Sequence, residues 1–158
     1  MKRSYLLGLC LVAASSLASV GCGRSFVPST PHGFVDLGDH YPDHEYRATT
    51  ADGAVLGIRE IDNDPKGDLA FWSRAVENRM RETGGYALLE KKSITTSSGL
   101  VGTELDFGHD EGSTPHLYRI ALFVTDKKIF VLEAGGAKAE MDRQATQIAW
   151  AFNVFVAK

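Results

Sequence analysis

The period of apolar and polar positions changes several times along the chain, and each change predicts an element. From His116 onward, Tyr118, Ile120, Leu122 and Val124 point one way and Leu117, Ala121 and Phe123 the other, because strand side chains alternate with a period of two. Both faces are largely apolar, the pattern of a central strand with cover on each side. The polar turn Asp126-Lys127-Lys128 leads into a second apolar strand, so His116 to Ala134 reads as the central hairpin of a sheet. Upstream, Phe34, Val35 and Leu37 predict a short opening strand, followed by a polar loop from Gly38 to Glu45. Tyr46 to Thr50 and Ala54 to Ile61 predict two strands around Ala51-Asp52-Gly53, where Asp-Gly supplies the positive φ that a hairpin turn demands.

Helical spacing appears twice. Leu69, Trp72, Val76 and Met80 predict a helix with Asp64 or Asp68 as its cap, Pro65 in its first turn and Gly84-Gly85 as its stop. Arg74, Glu77, Arg79, Arg81 and Glu82 fill the opposite face, so one side of this helix faces water. Tyr86 to Thr95 and Leu100 to Gly108 predict two further strands separated by Thr96-Ser97-Ser98-Gly99, and a loop from His109 to Pro115 leads to the central hairpin. Turns this short cannot hold a parallel crossover, so the four strands form an antiparallel meander. A final continuous helix is predicted from Lys138 to Phe155, with Met141, Ala145, Ile148, Phe152 and Phe155 as its apolar stripe and Trp150 beside it. The fold class that follows is α+β, an antiparallel sheet covered by two helices in an α/β/α sandwich.

The N-terminus stands apart from this pattern. Met1-Lys2-Arg3 is a basic start and Tyr5 to Ala14 an apolar run too short to anchor stably across a bilayer, as in a secretory signal. Its end, Ser19-Val20-Gly21-Cys22, resembles the lipobox of bacterial lipoproteins, although Ser19 stands where such signals prefer Leu. The resemblance implies that Cys22 is lipidated and becomes the first mature residue; the alternative is cleavage by ordinary signal peptidase and plain secretion or release to the periplasm. Of the two cysteines, Cys10 lies inside the signal, so Cys22 alone remains and no internal disulfide can form. Acyl chains on Cys22 would contribute about 0.8 kcal/mol per buried methylene. Gly23, by resemblance to enterobacterial lipoproteins, favours the outer membrane. Domain organisation is therefore expected as a signal peptide over 1–21, a lipidated cysteine and proline-bearing tether over 22–32, and one α+β domain over 33–158.

Composition narrows function by exclusion. The 158 residues carry 17 basic and 20 acidic side chains, and removing Lys2 and Arg3 moves the net charge from −3 to −5. No basic stripe with interleaved aromatics exists, which argues against nucleic acid as a partner. No G-x-S-x-G, Walker or G-x-G-x-x-G pattern occurs, so no enzyme class is indicated and no cofactor is expected beyond the lipid. Asp39, His40, Asp43 and His44 form the one constellation that could hold a metal ion such as zinc, although Pro42 between the histidines disfavours a shared helix face and a solvated loop explains the same residues. His109, Asp110, Glu111 and His116 make a second polar cluster, in a segment where Gly112, Ser113 and Pro115 suit a solvated turn. Trp150 is a candidate contact for a protein or lipid partner.

The order of strand hairpin, helix, four-stranded meander and C-terminal helix, with VTDKKIFVLEAGG followed by a helix ending WAFNVF, resembles the PsbP-like α/β/α superfamily. That group includes photosystem II extrinsic proteins, a Ran-binding nuclear import factor and bacterial envelope lipoproteins of the DcrB type. The resemblance spans about residues 33 to 156 and implies a binding or assembly role rather than catalysis. The expectation is an outer-membrane lipoprotein whose noncatalytic domain supports an envelope complex, such as secretion or motility machinery, through a protein partner. The alternative expectation is an envelope ligand- or metal-binding protein that uses the His40/His44 loop.

Overall fold

The structure is a computed structural model, and it describes residues 24–38 and 43–158. A seven-stranded antiparallel sheet is formed by β2 (Val35–Asp36), β3 (Tyr46–Thr49), β4 (Val55–Asp62), β5 (Ala87–Thr95), β6 (Val101–Glu111), β7 (Thr114–Val124) and β8 (Lys128–Ala137). Its spatial order is β2-β3-β4-β8-β7-β6-β5, which places β8 in the middle, between β4 and β7. The hairpin β7–β8 is therefore central, and its two faces divide as the alternation requires. Ile120 and Leu122 join Leu105, Phe107, Ile129 and Val131 in one buried cluster; Ala121 and Phe123 join Phe130, Leu132 and Ala134 in the other.

Helix α1 (Leu69–Glu82) covers the first cluster with Leu69, Trp72, Val76 and Met80. Asp68 is its N-cap, accepting from the Phe71 amide at 2.7 Å. Pro65 consequently lies before the helix, outside the first turn expected for it. The buried Asn63 fixes this approach, because its side chain donates to the carbonyls of Gly67 and Thr125 and accepts from Trp72 Nε1. One interaction set thus ties the start of α1 to the β7–β8 turn.

The opposite face is covered by two short helices, α2 (Lys138–Arg143) and α3 (Ala145–Asn153), where the sequence pattern predicted one. The break falls at Gln144. The buried Glu140 accepts hydrogen bonds from Thr50 and Gln144 and is paired with Arg143, pinning α2 to the β3–β4 turn. Redirected from there, α3 sends Ile148, Ala151 and Phe152 into the core, and Phe155 follows just beyond its end.

Two further expectations are corrected. The segment His109 to Pro115 is no loop: β6 runs to Glu111 and β7 begins at Thr114, with Gly112 at φ +64° making the turn. His109 and His116 are thereby paired across the ladder. Likewise, the described part of the expected tether, residues 24–32, belongs to the domain. Phe26 in β1 (Phe26–Val27) is only 1% exposed and packs against Phe130 and Phe155. β1 pairs antiparallel with β9 (Val156–Ala157), the Ser25 amide donates to Glu60 Oε2 at 3.0 Å, and Tyr46 donates to Thr30 at 2.7 Å. The stretch then turns at His32-Gly33, where the Phe34 amide donates to the Pro31 carbonyl at 3.1 Å, and enters β2.

Candidate binding cleft

On the α1 side of the sheet, α1 packs over β5, β6 and β7, and the space beyond its C-terminal end lies over Gly57 of β4 and Glu133 and Gly135 of β8. A cleft of about 290 Å³ opens there. Its floor contains Glu133, a carboxylate on the central strand that is only 4% exposed. A buried ionised group is tolerated only when paired and hydrogen-bonded, and Glu133 is both. Arg59 Nε donates to one of its oxygens, the Tyr118 hydroxyl to the other, and His44 Nε2 lies 3.6 Å from the first. Burial pushes the Tyr118 phenol well above its ordinary range, and the Glu133 charge adds to the shift. Burial opposes the charge on Arg59, yet the hydrogen bond to Glu133 and the charges around it together outweigh burial and raise the guanidinium. Burial lowers His44 below the usual histidine value, with Glu133 pulling the other way. Both the phenol and the imidazole are accordingly held in their neutral forms at neutral pH.

Glycines shape this floor. A Cβ at Gly57 would lie 2.7 Å from His44 Cδ2, and one at Gly135 would lie 2.7 Å from Tyr118 Cδ2. Both rings therefore lie down on bare backbone, on either side of Glu133 in its strand neighbourhood. Tyr86, just past the Gly84-Gly85 stop of α1, adds a third ring, 5.8 Å from Tyr118 and 5.0 Å from His109. His116 completes the wall; its Nδ1 lies 3.1 Å from the Thr114 carbonyl and its Nε2 lies 3.5 Å from Glu111. The cleft thus offers ring faces and hydrogen-bonding groups around a buried carboxylate whose charge is already matched, with Arg47 and Glu111 also in its lining. Such a surface suits recognition of a partner group by stacking and hydrogen bonds.

The candidates read from the sequence fall in different places. Cys22, Asp39 and His40 lie outside the described residues. Asp43 and His44 are described, and His44 turns inward over Gly57 to face Glu133. Among the described residues, no group of three His, Cys, Asp or Glu side chains is arranged to hold a metal ion. The second cluster contributes His109, Glu111 and His116 to the cleft, brought together by the β6–β7 ladder rather than by a loop. Trp150 is 44% exposed on the outer side of α3, whereas Phe152 and Phe155 are core. Sequence reasoning missed Glu133, Arg59, Tyr86 and Tyr118. The signal was present in part: Glu133 is the one charge inside the apolar run from Ile129 to Ala134.

No known protein family matches the sequence, and no curated protein matches it either. Solved structures do match its fold. A Pseudomonas aeruginosa protein of unknown function, PA94, aligns with 14% identity over 85% of this chain and 99% of its own, at a TM-score of 0.60. Cyanobacterial PsbP from Synechocystis sp. PCC 6803 aligns with 12% identity over 96% of this chain and 99% of its own, at 0.53. The protein Mog1 aligns with 14% identity over 82% of each chain, at 0.52. The fold is therefore PsbP-like, an α+β sandwich built on an antiparallel sheet. At these identities the likeness concerns the fold alone.

Proposed function

We propose that this chain is a lipoprotein of the cell envelope, anchored through Cys22 in the outer membrane, whose domain binds a protein partner of an envelope complex and carries out no chemistry of its own. The observation that carries the binding part is the state of Glu133. Its two oxygens are engaged by Arg59 and Tyr118, so the buried carboxylate at the floor of the cleft is a matched charge rather than a free general base. The signal-like N-terminus and Cys22 support the anchor. Fractionation tests it: the wild-type chain is expected in the membrane and to incorporate labelled palmitate, and Cys22→Ala is expected to be soluble in the periplasm. A Cys22→Ala variant that stays with the membrane would exclude the lipid anchor.

His44 favours a second reading. It lines the cleft, so a small ligand or a metal ion bound through His44 would sit in the same place. A ligand that binds only the folded state raises its stability. Zinc-dependent thermal stabilisation that disappears in His44→Gln would favour this reading, and unchanged melting with and without zinc would reject the metal form of it.

A further inference from the structure

The route of the chain between Cys22 and the sheet determines which end of the domain meets the membrane. Ser25 is already fixed: its amide donates to Glu60 and its carbonyl accepts from the Lys158 amide at 2.7 Å. The lipid-bearing residue is three positions earlier, so it can reach no more than about 11 Å from Ser25 at full extension. Lys158 and Ala157 border Leu100 and Thr125, which places Ser25 at the sheet end made by the β5–β6 and β7–β8 turns. The cleft is at the other end. Its residues His116 and Gly136 sit where β7 begins and β8 finishes, and β8 spans about 30 Å from Lys128 to Ala137 at strand rise.

We infer that the end bearing β1, β9 and the β7–β8 turn lies against the lipid surface, and that the cleft is held on the opposite end, facing away from the membrane. This rests on the lipid-anchor reading of Cys22. Val27 and Val156, partners in the β1–β9 register and both exposed, supply an apolar contact beside the anchor, with the exposed Lys158 two residues beyond Val156. Net negative charge opposes a pose in which the domain lies flat on anionic lipid. The anchor fixes the near end, and the cleft is the part of the sheet farthest from it.

The test uses the full lipid-modified chain in vesicles of phosphatidylethanolamine and phosphatidylglycerol, with a fluorophore on Lys127→Cys, Val156→Cys or Ser113→Cys and a quencher carried on lipid headgroups. Quenching at positions 127 and 156 with none at 113 is the expected result. Equal quenching at all three, or stronger quenching at 113, would overturn the orientation while leaving the anchor standing. Failure of the protein to float with the vesicles would overturn both.

Discussion

At the scale of single residues, Glu133 is the group on which the cleft depends. Glu133→Gln keeps the shape but leaves Arg59 without its counter-charge, and a loss of about 1–3 kcal/mol in urea unfolding is expected. Replacing all three partners, Arg59→Met and Tyr118→Phe with Glu133→Leu, should cost less than the single change, because neither a charge nor a hydroxyl is stranded. A triple variant less stable than Glu133→Gln would show that the group contributes more than mutual neutralisation. His44 gives a pH signature. Desolvation holds its folded value below 6.5, so the unfolded chain takes up the proton more readily than the native protein. Its contribution is complete above pH 6.5 and is lost as the pH falls from there towards the folded value. His44→Gln should remove that part of the acid sensitivity, as read from melting temperatures at a series of pH values; identical slopes in the two proteins would contradict the assignment. Gly135→Ala, by pushing a methyl into the Tyr118 ring, should destabilise by about 1–3 kcal/mol through overpacking.

At the scale of elements, the β1–β9 ribbon changes the boundary of the domain. Phe26→Ala is expected to cost about 3–5 kcal/mol, the range for truncating a buried aromatic ring. A free tether would give no change in the denaturation midpoint, so the two readings separate cleanly. Much of the sheet was legible in advance, because the alternation in β7 and β8 follows directly from which face each side chain enters. The helix cap and stop of α1 were legible too, since Asp68 and Gly84-Gly85 act locally. Other features depend on partners far along the chain. Phe26 finds its place only against Phe130 and Phe155, and the buried Glu140 just before the break at Gln144 finds its partner in Thr50. The polar cleft was half legible: His44 and His116 stood out by residue type, but Gly57, Arg59, Tyr118 and Glu133 meet only through pairing of β4, β8 and β7. No period in a single strand reveals that register.

At the scale of the whole molecule, a PsbP-like sandwich carries a rigid sheet between two layers of helices, with one end tied to β1 and the other opening into the cleft. The proposed lipoprotein would use the first end for attachment and the second for its partner. Crosslinking in intact cells tests that division most directly, with a photoreactive amino acid placed at His116 in the cleft wall or, as a control, at Arg74 on the exposed face of α1. The expected result is a discrete crosslinked protein from His116 and none from Arg74, lost when Glu133→Gln is combined with the His116 probe. A partner captured from Arg74 with nothing from His116 would contradict the assignment of the cleft as the binding surface.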